Sequence, residues 1–311
     1  MQEPLLALAH DQDQVATRAQ LALVGVGESA LRTQLRAGRW RTLGARVVVM
    51  HNGPLTRRQE EWAGLLAAGA GAGLAGRTSL TLAGLRDWDD PAVHVLVPRG
   101  RTARSAGSVK IVVHETRLPS NGRLPTLGSP PRTPVARSAI DAASWSGNVR
   151  TACGLVAAVV QQRLSTGPRL LEALNEAGPI RHRRLLRLSL DDICGGAQAL
   201  SEIDFGGLVR GNKLGTLIRQ AVRLDSFGRR RYLDAVIESP TGARVACEVD
   251  GALHLLASTY WKDMARANEM VIARQAVLRF PTLAMRIDEP LVVDQIRRAL
   301  VALEPSQRQA S

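Results

Sequence analysis

Apolar and polar positions alternate most regularly in two runs late in the chain, 232–238 and 244–250, where β-branched and small apolar residues interleave with charged ones. Period-two alternation predicts strands. The linker Ser239-Pro240-Thr241-Gly242-Ala243 between them predicts an antiparallel hairpin. A helix from about 201 carrying Ile203, Leu208 and Val209 precedes them, followed by a strand near 218–222. After them come a helix near 258–274, a strand near 276–280 and a last helix near 291–303. The order α-β-β-β-α-β-α predicts a mixed sheet flanked by helices, within a mixed α/β (α+β) chain.

A different pattern opens the chain. Thr17-Arg18-Ala19-Gln20 fits a capping box, with a hydroxyl and an amide satisfying the first free N–H groups of a helix reaching about Val24. Gly25-Val26-Gly27 makes a turn. A second helix near 28–37 carries Leu31 and Leu35 on one face with Arg32 and Arg36 beside them, and Gly38 ends it. Residues 40–50 then read as two strands turning at Gly44, a wing bearing Arg39, Arg41 and Arg46. This predicts a winged helix-turn-helix over 1–55. Its second helix would enter a DNA groove and its wing would meet phosphate. The plainer reading is a helical packing module whose arginines are solvated.

Residues 56–145 predict a second α/β unit, with helices near 56–68 and 78–85 and strands at 93–97 and 109–113. A charged hairpin loop starting Pro98-Arg99-Gly100-Arg101 joins those strands, and such a loop either clamps phosphate or is merely solvated. The Pro-rich 119–134 is an extended connector. Arg137 and Asp141 sit four apart on a helix, an ion pair worth about 0.3–0.5 kcal/mol if exposed. From 146 to about 200 the chain reads as a helical bridge, broken at Gly167-Pro168 and Gly178-Pro179. The unit from 201 to 311 carries the hairpin.

A length of 311 residues allows about two cored domains, and 45% hydrophobic with 22% charged residues fit a globular chain. The net charge of +13 favours a polyanionic partner, DNA ahead of an anionic membrane. Arg supplies all but three of the 41 cations, which fits the codon usage of a GC-rich genome, so the sign of the charge carries more than the arginine count. Cys153, Cys194 and Cys247 stand far apart without a CxxC pair, predicting reduced, buried thiols and neither a disulfide framework nor a zinc ribbon. The start Met-Gln-Glu has no basic n-region, and the longest uncharged run, 63–76, falls short of the roughly 20 residues that span a bilayer. A cytoplasmic location with no membrane segment is expected.

Composition also sharpens the hairpin. If it folds symmetrically about Thr241, Asp234 lies opposite Glu248, and Asp250 follows on the same face, so three carboxylates meet. Like charges about 5 Å apart destabilise a sheet unless a cation sits among them. Mg²⁺, or Mn²⁺ in its place, suits an all-oxygen set. The plainer reading is a solvated acidic hairpin, and a one-residue slip of register would scatter the group.

Two resemblances add to this. Over residues 8–145, the helix-turn-helix, the Gly38-Arg39-Trp40-Arg41 start of the wing and the Ala-rich helices ahead of a strand resemble the AbiEi-type antitoxins of type IV toxin-antitoxin systems. That resemblance implies an autoregulatory DNA-binding winged helix and a cognate toxin as a possible partner. Over 200–290, Asp234…Glu248-Val249-Asp250-Gly251-x-x-His254, Trp261-x-Asp263-x-x-Arg266 and Val277-Leu278-Arg279-Phe280-Pro281 closely resemble the very-short-patch-repair-endonuclease-like domain of unknown function. That domain is a branch of the restriction-endonuclease-like PD-(D/E)XK superfamily.

The second resemblance implies metal-dependent cleavage of DNA, with Asp234 and Glu248 as metal ligands and Asp250 as a further ligand or a residue orienting water. His254 is the candidate general acid/base, or a structural hydrogen-bonder. Asp263 and Arg266 are expected to pair. Arg279 or Lys262 would stabilise transition-state charge, and Glu202 is a conceivable extra ligand. The superfamily's lysine, two positions after the second acid, is here Asp250, which leaves the water-activating group unassigned. The leading expectation is a DNA-binding, Mg²⁺-dependent endonuclease. The alternative is a non-catalytic, antitoxin-like DNA-binding regulator that keeps the nuclease fold as a scaffold.

Overall fold

The computed structural model describes residues 3–101, 105–117, 124–195, 198–224, 230–250, 277–281, 284–285 and 288–304. For 195, 198–204, 219–224, 230–234, 249–250 and 281 it describes the backbone alone. The chain is mixed α+β and divides into two compact units, Met1–Ala142 and Ala143–Ser311.

The first unit opens α1 (Glu3–Asp11), β1 (Val15–Thr17), α2 (Arg18–Leu23), α3 (Glu28–Arg36), β2 (Arg41–Leu43) and β3 (Val47–Val49). The capping box forms as the sequence predicts: Gln20 N donates to Thr17 Oγ1 at 3.1 Å and Thr17 N to Gln20 Oε1 at 2.8 Å. β1 was not expected. It pairs antiparallel with β3, which also pairs with β2, giving the order β1-β3-β2. Both faces of this small sheet are covered, which is why Val47, Val48 and Val49 are all fully buried. Val48 and Ala16 pack with Leu5, Leu21 and Leu31, while Val15, Val47 and Val49 pack with Trp62, Leu65 and Val93.

The unit continues with α4 (Arg57–Ala68), β4 (Gly73–Leu74), α5 (Gly76–Leu82), β5 (Val93–Pro98) and β6 (Ile111–Thr116). β4 is antiparallel to β5, but β5 and β6 are parallel, with Val95 opposite Val113. The expected charged hairpin is therefore replaced by a crossover through 99–110. The apolar run Val95-Leu96-Val97, fully buried or nearly so, suits a parallel strand covered on both faces better than a half-solvated hairpin arm. α6 (Val135–Trp145) carries the chain onward. In it the expected pair forms, Arg137 Nε donating to Asp141 Oδ2 at 2.8 Å, with the Asp141 side chain only 10% exposed.

The second unit holds α7 (Val149–Gln161), α8 (Gly167–Glu176), α9 (Arg183–Gly195), α10 (Gln198–Gly211), β7 (Thr216–Leu224), β8 (Arg230–Glu238), β9 (Arg244–Asp250), β10 (Leu278–Pro281) and α11 (Glu289–Ala302). Pro168 sits in the first turn of α8, where its missing N–H costs nothing. Four strands form one sheet in the order β10-β9-β8-β7. β7, β8 and β9 run antiparallel in turn, and β10 lies parallel to β9. Ala235, Ile237, Val245, Cys247, Leu278 and Phe280 pack with Phe205 and Val209 of α10 and with Val292 and Ile296 of α11. Each large side chain so buried contributes about 1.5–3 kcal/mol. Cys153 and Cys247 are buried, and burial raises both thiol pKa values, that of Cys153 to about 12. Cys194 is exposed, contrary to the expectation of three buried thiols.

Candidate functional site

The β8–β9 hairpin folds in the register that its symmetry about Thr241 predicts. Ala235 lies opposite Cys247, Ile237 opposite Val245 and Glu238 opposite Arg244. The pairing of these two strands is described as far as Ala235 and Cys247. Residues of one parity, 235, 237, 245 and 247, belong to the large core. Residues of the other parity, among them Val236, Ala246 and Glu248, occupy the opposite face, where Val236 and Ala246 form a small separate cluster with Val277. Position 250 follows 248 by one strand period.

Glu248 has a defined partner. Parallel pairing of β10 with β9 sets Arg279 beside it, and Arg279 Nε donates to Glu248 Oε2 at 2.8 Å. The Glu248 side chain is 29% exposed and that of Arg279 62%, so the pair stands at the solvent edge of this face. Two levels toward the turn on the same face, Arg244 pairs with Glu238 at 3.1 Å. The arginine proposed from sequence as a stabiliser of transition-state charge thus contacts the acid proposed as a ligand.

The side chains of Asp234, Asp250 and Glu202 lie outside the described residues, as do all of His254, Trp261, Lys262, Asp263 and Arg266. Among the described residues no group of three or more His, Cys, Asp and Glu side chains is placed to hold a metal ion. The donor types suit Mg²⁺ or Mn²⁺, since Asp234, Glu248 and Asp250 offer oxygen alone.

In the first unit, α3 presents the expected arginines. Leu31 is buried and Leu35 joins the same cluster, while Arg32 and Arg36 are exposed along with Ser29 and Thr33. Arg39 is also exposed, and its Nε donates to Gln34 Oε1 at 2.7 Å. The other two arginines expected on a wing turn inward. Arg41 Nη2 donates to the Gly53 carbonyl at 2.7 Å, and Arg46 lies over the end of α4, where a Cβ added to Gly69 would stand 2.6 Å from Arg46 Nη1. Gly44 turns the β2–β3 hairpin at φ +66, and a Cβ there would meet the Ser105 carbonyl oxygen at 2.1 Å. The tip of this hairpin is thus packed against the rest of its unit.

Sequence reasoning missed a polar chain on β5 and β6. His94 Nε2 lies 3.1 Å from Asp90 Oδ2, and His94 Nδ1 lies 3.0 Å from His114 Nε2. The ring centroids are 5.3 Å apart and the planes differ by 11°, so rings with nitrogens this close meet edge to edge. Donation from His94 Nε2–H to Asp90 leaves Nδ1 to accept from His114 Nε2–H. Burial, then the neighbouring His94, lowers the His114 pKa to about 4. For Asp90 burial pushes upward, but the Ala92 N–H, His94 and Arg77 together outweigh it and lower the pKa. The signal, one histidine in each of two strands, is visible only once their parallel pairing is known.

A scan against protein-family models finds none that matches the chain, and a search of curated proteins finds no match.

Proposed function

We propose that the chain is a DNA-binding protein whose C-terminal sheet carries a Mg²⁺-dependent, endonuclease-like site for hydrolysing DNA phosphodiesters. What supports the reading best is the β8–β9 register, which keeps the symmetry about Thr241 from Glu238–Arg244 to Ala235–Cys247; continued by one pair it would set Asp234 beside Glu248 on the face opposite the core. Asp234, Glu248 and Asp250 would hold the ion. When bound, it would polarise a phosphoryl oxygen and acidify a water. His254 would exchange the proton. In the first unit, exposed Arg32, Arg36 and Arg39 on and after a helix anchored by Leu31 would bind phosphate and set the winged-helix module on the duplex. No helix among the described residues is long and apolar enough to cross a membrane.

The test is incubation of the purified chain with plasmid DNA and Mg²⁺ or Mn²⁺ beside an Asp234→Ala variant. Nicking or linearisation by the wild type and none by the variant supports the reading. No cleavage across salt and metal conditions, or equal cleavage by both, removes it.

One observation favours a second reading, a non-catalytic, antitoxin-like regulator with a protein partner such as a cognate toxin. The Arg279 guanidinium already compensates Glu248 at 2.8 Å, as an acid retained for structure would require. This reading predicts DNA retention in a mobility shift that survives chelation and Asp234→Ala but falls when Arg32 and Arg36 are replaced.

A further inference from the structure

The first unit contains a cavity of about 720 Å³, walled by the start of α2, the β2–β3 turn and the end of α4. That volume lies within the range of small-molecule sites, roughly 300–1,000 Å³. Its apolar wall is formed by Trp62, Leu65, Leu66, Ala72 and Pro131. Two arginines, Arg18 and Arg46, also line it. Arg18 is engaged by Glu28 at 3.2 Å, whereas Arg46 has no carboxylate or hydrogen-bond acceptor among the described residues. The cavity thus sets one arginine without an acceptor beside an apolar wall, and a cation so placed is short of a polar partner.

We infer that this cavity binds a small organic anion with a flat apolar body, an aromatic carboxylate in chemical class. The body lies against Trp62, Leu65 and Leu66, and the carboxylate meets the Arg46 guanidinium, a charge-assisted contact of the kind arginine makes best. The site is separate from the acidic sheet of the second unit and from the exposed face of α3, so it stands or falls apart from the DNA-cleaving reading.

The experiment is isothermal titration calorimetry of the full chain with 1-naphthoate, beside its neutral counterpart 1-naphthalenemethanol. The wild type is expected to bind naphthoate more tightly than the alcohol. Arg46→Gln is expected to weaken naphthoate by roughly tenfold or more, the worth of one charged hydrogen bond, with the alcohol unchanged. Ala70, exposed at the cavity's edge, provides a second variant: Ala70→Trp fills the space without removing a charge and is expected to abolish binding of both. Because that variant keeps the whole net charge, it also separates the cavity from non-specific attraction of an anion to a basic protein. No binding by the wild type, equal affinity for the alcohol, or undiminished binding by Ala70→Trp overturns the inference. Should Arg46→Gln fail to fold, the alcohol comparison and Ala70→Trp still decide it.

Discussion

Arg279 donates to Glu248 at 2.8 Å because parallel pairing of β10 with β9 places the two residues side by side. If Glu248 serves as a metal ligand, this guanidinium competes with the ion for the carboxylate. Arg279→Gln is then expected to tighten Mn²⁺ binding by roughly three- to tenfold, since a unit charge a few ångströms from the ion is removed at a partly solvated site. Glu248→Gln is expected to lose binding. Electron paramagnetic resonance titration of Mn²⁺ reads both, and identical affinities in wild type and Arg279→Gln would show that the pair and the ion do not share the acid.

The five arginines read from the sequence as a DNA face divide into two groups. Replacing Arg32 and Arg36 by Ala should weaken DNA binding and flatten the dependence of log K on log salt by about 0.9 for each phosphate no longer neutralised. Arg41→Ala should leave that slope unchanged and lower the melting temperature instead, because the Gly53 carbonyl loses its donor. Fluorescence anisotropy with a labelled duplex at several KCl concentrations separates these outcomes. Equal slopes for all three proteins would argue against α3 as the helix that meets DNA.

How much of this was legible follows from how local each feature is. The symmetric hairpin about Thr241 and the Thr17–Gln20 capping box depend on residues a few positions apart, and both form as the sequence predicts. β1 escaped notice because three residues are too few for a periodicity and its partner, β3, lies about thirty positions away. The parallel pairing of β5 with β6, and with it the His94–His114 contact, was hidden by a Pro-Arg-Gly sequence that resembles a turn. Inward-turning Arg41 and Arg46 have the same local surroundings as exposed Arg39. Only the contacts of Arg41 with Gly53 and of Arg46 with Gly69 distinguish the three.

Gly44 gives a direct check on the packing of the β2–β3 turn. Its backbone lies at φ +66 and the Ser105 carbonyl fills the space a methyl would need. Gly44→Ala is expected to destabilise the chain by more than the ~1 kcal/mol that a left-handed residue alone costs, since a backbone atom and not a flexible side chain must give way. A thermal or urea melt measures it. An unchanged midpoint would mean that the β2–β3 turn stands free of residue 105.

The His94–His114 contact has a consequence in acid. Burial and His94 lower the His114 pKa from its ordinary 6.5 to about 4. A histidine whose folded pKa is depressed stabilises the native state at pH above 6.5, where it is neutral folded or unfolded. It loses that contribution as the pH falls toward 4, because the unfolded chain takes up the proton first. Asp90 is also lowered, so its contribution is lost only below the ordinary carboxylate value of 3.8, beneath the histidine window. Melting temperatures should therefore decline between pH 6.5 and 4, and the decline should be shallower in His114→Gln, which keeps a polar side chain but cannot charge. Carboxylates elsewhere titrate alike in both proteins, so the difference between the two curves isolates the histidine. Curves that stay parallel through that window would mean that His114 is not held neutral by its burial on β6.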